Sequence, residues 1–224
     1  MIPLLHDFTG EVVLVFGGGP VGARKARRFG REARVIVLSR AFADREFRPD
    51  ERRDPGAGVE LVRAAPAPEE VGLWFDRAKP ALAVAATDDG SVNAAVAREA
   101  GARCVLVNRA DRSGERDTGS VVVPATVRED PVVAAVATGG SAPALSRYLR
   151  ERIGEEFKGA DEMASLVSEV REGLKRRGVP PEDRRATVRA VVEDSRVWKH
   201  LGSDADKARR AADGIVADAL GDST

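Results

Sequence analysis

Val12-Val13-Leu14-Val15-Phe16 runs directly into Gly17-Gly18-Gly19-Pro20-Val21-Gly22-Ala23-Arg24-Lys25. Five apolar residues, a glycine cluster and a helix-compatible segment predict a strand, a tight turn and a helix. Gly17, Gly19 and Gly22 fit G-x-G-x-x-G at that junction. There the first glycine permits the turn, the second admits a pyrophosphate close to the backbone, and the third lets helix and strand pack tightly. The helix N-terminus adds unpaired N–H groups and a partial positive charge. Gly17, Gly18, Gly19, Pro20 and Val21 are therefore the expected phosphate contacts of a dinucleotide. The alternative is a turn with a purely structural purpose.

Working outward, strand and helix signals alternate. Arg34–Leu38 reads as a strand, residues 48–58 as a loop, Val59–Val62 as a short strand and Glu69–Arg77 as a short helix. Ala81–Ala86 reads as a buried strand ended by Thr87-Asp88-Asp89-Gly90. Ser91–Ala100 follows as a helix with Asp89 or Ser91 as its N-cap, then Arg103–Val107 as a strand. Such alternation predicts parallel pairing in a Rossmann-like, doubly wound α/β sheet. The pattern changes near Arg112. Ser120–Pro124 and Val132–Ala137 read as two strands with no helix-length segment between them, so their pairing should differ.

From Ser141 the chain reads as helical, with Ser141 as N-cap, Pro143 in the first turn, and Leu145, Leu149 and Ile153 on one face. Met163, Leu166, Val170 and Leu174 repeat at helical spacing, as do Val188, Val191 and Val192, and Ile215, Val216, Ala219 and Leu220. These stripes read as core or dimer packing. Gly202–Asp206 reads as a linker and Gly221–Thr224 as a frayed end. Three regions are expected: a nucleotide-binding domain over 1–112, a dimerisation and active-site segment over 113–150, and a helical domain over 151–224.

Composition narrows the classes. The 224 residues are 43% hydrophobic, which suits a globular chain with a sizeable core. Thirty-six basic residues balance 36 acidic ones, so no global charge steers the chain to nucleic acid or a membrane surface. A single cysteine, Cys104, excludes an internal disulfide framework and a multi-cysteine metal site. His6 and His200 stand apart, outside any ligand-like spacing, so no protein-held metal is expected. No apolar run reaches the roughly 18 residues of a membrane span. Met1–Asp7 lacks the basic start of a signal peptide, and a cytoplasmic location is the expectation.

Chemistry concentrates at three places. The second strand ends in Leu38-Ser39-Arg40 without the acid that commonly accepts hydrogen bonds from an NAD ribose. Arg40 could meet the extra phosphate of NADP, or Ser39 and the adjoining backbone at Ala41 could hold the NAD ribose unaided; Arg40 could also be simply solvated. Ala85–Asp89 leaves a buried strand at its carboxyl end, where open α/β sheets bind ligands, which makes Thr87 a candidate cofactor contact. Asn108-Arg109-Ala110-Asp111 occupies the same edge one strand later. Asp111 there could exchange a proton with a substrate, or serve as a loop or cap residue. Thr138-Gly139-Gly140-Ser141-Ala142-Pro143 is a second glycine turn, suited either to an anion or to a tight connection.

Together these segments resemble the siroheme synthase N-terminal family, which contains precorrin-2 dehydrogenases, some of them also sirohydrochlorin ferrochelatases. The glycine segment at 17–25 matches a family pattern G-G-G-x-V-A-x-R-K. Ala85–Asp89 with Asn93, Val107–Asp111, Pro124-Ala125 and Ala137–Arg150 follow in the family's order and spacing. The resemblance covers about residues 3–153.

The resemblance implies NAD-dependent oxidation of precorrin-2 to sirohydrochlorin, with ferrous ion as a possible second substrate and a homodimer as the assembly. It implies Asp111 as the residue most implicated in catalysis, as proton acceptor or electrostatic stabiliser. It implies Asn108, Thr138, Gly139, Gly140 and Ser141 as the tetrapyrrole side of the cleft. It favours NAD over NADP despite Arg40. Arg109 and Arg112 depart from the family pattern, and each is open to contact with substrate carboxylates or to solvation. Two other readings compete: an NAD(P) oxidoreductase for another small metabolite, and a nucleotide-sensing module without catalysis.

Overall fold

The computed structural model describes residues 2–112, 119–139 and 141–221. The chain folds into two compact units, residues 1–123 and 124–224.

The first unit is built on five parallel strands: β1 (Val12–Phe16), β2 (Arg34–Ser39), β3 (Gly58–Arg63), β4 (Leu82–Ala85) and β5 (Leu106–Arg109). Their order is β3-β2-β1-β4-β5. Every pair is parallel and in a single register, with Val13 beside Val35 on one side and Leu82 on the other. Helices α1 (Pro20–Phe29), α2 (Val71–Ala78) and α3 (Gly90–Ala102) make the crossovers.

The side-chain period of two divides each strand between two cores. Val13, Val15, Val35, Val37, Leu82 and Val84 pack with Ala23 and Ala26 of α1. Leu14, Phe16, Leu38, Ala83 and Ala85 pack with Val71 and Phe75 of α2 and Val92, Ala95 and Val96 of α3. All of these except Leu38, Ala23 and Val92 are 1% exposed or less, which explains why β1 and β4 read as continuous apolar runs. The sheet is the doubly wound α/β arrangement expected from the alternation. Its winding reverses between β1 and β4, because α1 leads to β2 on one side and α3 leads to β5 on the other.

Several boundaries differ from the sequence reading. The last strand starts at Leu106 rather than Arg103, because Cys104 adopts a left-handed φ of 55° that ends the turn after α3. Ser120–Pro124 is not a strand. Ser120 makes one parallel bridge to Val107, and Val121 N donates to Val107 O at 2.8 Å; the segment then leaves toward Pro124, which has no N–H to donate. The residue that caps α3 is Asp89, whose carboxylate accepts from Ser91 N and Val92 N.

The second unit opens with an antiparallel pair, β6 (Ala125–Glu129) and β7 (Val132–Val136). The strand at 125–129 was not foreseen; Thr126, Arg128 and Glu129 disguised it. Helix α4 (Pro143–Glu156) follows, then α5 (Ala160–Arg176), α6 (Pro181–Glu193), α7 (Ser195–Trp198) and α8 (Ala205–Leu220). Met163, Leu166, Val170 and Leu174 of α5 close a core with Val191, Val197, Ala208 and Ala212.

Three expectations are corrected here. The N-cap of α4 is Ala142, not Ser141, whose hydroxyl instead donates to Thr138 O at 2.8 Å. No residue of α4 is fully buried, so Leu145, Leu149 and Ile153 do not form a core stripe. The expected linker at 202–206 is shorter, because Asp204 caps α8 through Lys207 N and the helix begins at Ala205. The expected frayed end falls on residues 222–224, outside the described residues, as does the polar segment 113–118. Among the described residues, no helix is long and apolar enough to cross a membrane.

Candidate active site

The glycine turn joins β1 to α1 at the reversal of the sheet, the position where open α/β sheets take their ligands. Gly17 has a φ of 115° and lies against the Ala86 carbonyl so closely that a Cβ would collide with it. A Cβ on Gly22 would collide with the Gly17 carbonyl, which is the close helix–strand packing expected of the third glycine. Gly18 supports the loop after β2: its carbonyl accepts from Ala43 N at 2.8 Å, and a Cβ on it would meet Ala41 O at 2.5 Å. Gly19 has open space where a Cβ would be. It is the N-cap of α1, no side chain caps that end, and no acid stands in the first turn. Pro20 lies at the helix start, where a missing N–H costs nothing. An uncapped helix N-terminus below an open glycine fits a dinucleotide pyrophosphate.

The loop after β2 carries the other cofactor candidates. Ser39 Oγ donates to Ala41 O at 2.6 Å, so this hydroxyl shapes the loop over Gly18. Arg40 reaches out to Asp88 at 4.0 Å, with side chains 80% and 92% exposed. That pair spans the ends of β2 and β4 and is bathed in solvent, so it is weak.

Across the turn, Thr87 follows β4. Thr87 N and Thr87 Oγ1 both donate to Asn93 Oδ1, at 3.2 and 2.8 Å, and Asn93 Nδ2 donates to Thr87 O at 3.0 Å. Asn93 is 1% exposed on an otherwise apolar face of α3. Asp111 lies just beyond β5, where Ala110 N donates to Ala85 O at 2.9 Å and ties the two strand ends together. The Arg109 guanidinium grips the Asp111 carboxylate at both oxygens, Nε to Oδ1 at 2.9 Å and Nη2 to Oδ2 at 2.5 Å. The Arg109 side chain is 10% exposed. This guanidinium holds the Asp111 carboxyl below the ordinary carboxylate range, and Asn93 adds to the effect.

Asn108 faces the α1 side of the sheet. Its Nδ2 donates to Val121 O at 2.8 Å and latches the segment after 119 to β5. Its Oδ1 is buried and has no partner among the described residues.

In the second unit, Thr138 Oγ1 lies 3.0 Å from Ala142 O and 2.7 Å from Ser146 Oγ, at the start of α4. Gly139 takes a φ of 67°, a left-handed turn that suits glycine. Ser141 N donates back to Thr138 O at 3.2 Å. Gly140 lies outside the described residues.

Two participants gain their parts only from the fold. In sequence Asn93 stands as part of a motif, and its signal is a polar residue among Val92, Val96 and Ala100. The sequence leaves Arg109 open to a substrate carboxylate or to solvent; the fold pairs its near-buried guanidinium with Asp111.

Residues 4–125 match the model of a family described as putative NAD(P)-binding. The chain belongs to that family. The NAD(P)-binding match runs from the N-terminal segment through the glycine turn and past Asp111. Among similar proteins, a siroheme synthase of Stutzerimonas stutzeri (strain A1501) is 34% identical over 227 residues, covering 99% of this chain and 46% of that protein. This NAD(P)-binding chain thus spans less than half the length of that relative. A precorrin-2 dehydrogenase of Methanosarcina barkeri (strain Fusaro / DSM 804) is 29% identical over 224 residues, covering 98% of this chain and 95% of that one. The solved structure of SirC, precorrin-2 dehydrogenase, aligns with a TM-score of 0.66 at 19% identity, over 96% of this chain and 99% of that chain. That likeness extends the shared fold across both units.

Proposed function

We propose that this chain oxidises precorrin-2 to sirohydrochlorin, with NAD as the hydride acceptor. The observation that carries the reading is Asp111. It is an ionised carboxylate fixed at the carboxyl end of β5, on the same sheet edge as the uncapped glycine turn, in a chain that aligns end to end with a protein named precorrin-2 dehydrogenase.

Gly18, Gly19 and Val21 offer backbone N–H groups to the pyrophosphate, while Gly17, whose own N–H goes to Leu38 O, makes the turn and Pro20 starts α1 beside it. Ser39 and Ala41 border the ribose, and Thr87 borders the nicotinamide end. Arg40, paired only loosely with Asp88 in solvent, borders the adenosine end. The bound nicotinamide supplies the hydride acceptor. The macrocycle loses a hydride and a proton, and positive charge develops on it as the hydride leaves. Asp111 stabilises that charge. A carboxylate held by a guanidinium is a poor proton store, so the proton passes to solvent. Asn108, Thr138, Gly139, Gly140 and Ser141 are proposed to flank the macrocycle, and the active molecule is proposed to be a C2 homodimer in the cytoplasm. The hairpin of β6 and β7 leaves two strand edges for pairing between copies.

The test is an anaerobic absorbance assay with precorrin-2 made in situ. Wild type with NAD should form sirohydrochlorin, and Asp111→Asn should lose at least ~100-fold in rate while still binding NAD. Ferrous ion added to the product then reads iron insertion. An intact, NAD-binding protein that leaves precorrin-2 unchanged returns the chain to the nucleotide-sensing reading.

A further inference from the structure

Asp111 is held by its neighbour on the same strand end. Arg109, at the end of β5, meets both carboxylate oxygens in a bidentate fork, at 2.9 and 2.5 Å. That partner is not free to wander. Arg109 is 10% exposed at the side chain, and its backbone pairs with Ala85.

A fork of this type fixes the plane of a carboxylate as well as its charge. An exposed aspartate two residues beyond a strand would otherwise sample several rotamers. Mutual placement of hydride donor, acceptor and charge controls such reactions, and an error of about 1 Å can cost ~100-fold in rate.

We propose that Arg109 is a positioning residue, which holds the Asp111 carboxylate in a fixed orientation facing the reacting edge of the macrocycle. This rests on the dehydrogenase reading above. Arg109 acts through Asp111 and does not bind a substrate carboxylate.

The experiment compares wild type, Arg109→Met, Arg109→Lys, Asp111→Asn and the double variant Arg109→Met/Asp111→Asn. All are assayed for precorrin-2 oxidation across NAD concentrations, and NAD binding is measured directly for each. Arg109→Met should lower kcat by ~10-fold or more, with KM for NAD unchanged within about twofold. Arg109→Lys should recover part of the loss, because it keeps the charge and forfeits the fork. In the Asp111→Asn background, Arg109→Met should have little further effect, since the residue acts through the missing carboxylate.

Equal losses from Arg109→Met with and without the Asp111 carboxylate would overturn the proposal, as would a rise in the precorrin-2 KM alone, which marks a substrate contact. If wild type binds NAD and leaves precorrin-2 unchanged, the dehydrogenase reading fails by itself. The clamp is then read by carbon-13 NMR of the Asp111 carboxyl, assigned with Asp111→Asn. Its titration midpoint should lie lower in wild type than in Arg109→Met, and equal midpoints would overturn the clamp.

Discussion

Asn93 and Thr87 are joined by three hydrogen bonds that use both the amide and the carbonyl of the Asn93 side chain. With Asn93 almost wholly buried, water cannot replace those bonds when the side chain is changed. Asn93→Leu keeps the volume and abandons the Thr87 N–H and C=O. Each unsatisfied backbone group costs about 1–3 kcal/mol, so a loss of about 2–4 kcal/mol is expected. Guanidinium denaturation of the protein without cofactor measures it. A loss below about 1 kcal/mol would mean that the loop after β4 finds other partners.

Gly17 makes the second prediction. Its φ of 115° lies in the region that disfavours a side chain, and the Ala86 carbonyl fills the space that a Cβ would need. Gly17→Ala combines backbone strain with a clash against backbone, and the ends of β1 and β4 must separate to relieve it. A destabilisation of at least ~2 kcal/mol is expected, with NAD binding weakened by more than ~10-fold. Gly19→Ala provides the contrast, since nothing lies within 4 Å of its Cβ position. It should leave Tm nearly unchanged and, if the glycine turn holds the pyrophosphate, still weaken NAD binding. Calorimetry of folding and of binding separates the two effects.

Lys25 carries a pH dependence. Burial in α1 pushes its ammonium pKa down to about 8, and the charges of Arg28 and Arg24 push the same way. The unfolded chain keeps that proton up to the ordinary lysine value of 10.5. Between those values the unfolded state binds more protons, so this group's contribution to stability rises with pH. Below about pH 8 both states are charged and the fold bears the whole desolvation cost. Lys25→Met should therefore stabilise the protein at pH 7, by on the order of 1–2 kcal/mol after allowance for partial exposure. The gain should shrink as the pH climbs from 8 toward 10. Melting curves at pH 7 and pH 9.5 compare the two, and a constant difference would place the Lys25 ammonium in water.

The features legible in sequence were those with strong local causes. Apolar runs such as Val12–Phe16 and the alternation around them fixed the parallel sheet, and the glycine triad located its reversal. The errors share a cause as well. Val121-Val122-Val123 has strand composition, yet Pro124 ends its pairing and Asn108 holds it by a side chain instead. Ala125–Glu129 has mixed composition, yet pairs residue for residue with Val132–Val136. Pairing depends on what lies across, and that partner cannot be seen in the segment itself. The candidate site shows the same limit. Asp111 and Thr87 could be named from their place at strand ends. Their dependence on Arg109 and Asn93 required the fold, because Asn93 reaches the Thr87 backbone from the face of α3 and Arg109 turns back onto Asp111.

The last prediction concerns the helical unit. Leu174 is 1% exposed at the end of the α5 stripe, packed with Val170, Val179 and Val191 in one cluster. Leu174→Ala removes three carbons from that cluster and leaves a cavity, at about 2–5 kcal/mol depending on how far the neighbours collapse. Trp198 belongs to the same cluster, with its indole N–H donating to Val192 O at 2.7 Å. The chain has two tryptophans, and the other, Trp74, lies in α2 of the first unit. In a Trp74→Phe background, fluorescence therefore reports the helical unit directly. The Trp198 transition should move to lower guanidinium concentration in Leu174→Ala with its slope unchanged, which signifies lost stability in an intact fold. A flattened slope would mean that the cluster had loosened before unfolding, and that Leu174 sets the order of this unit as well as its stability.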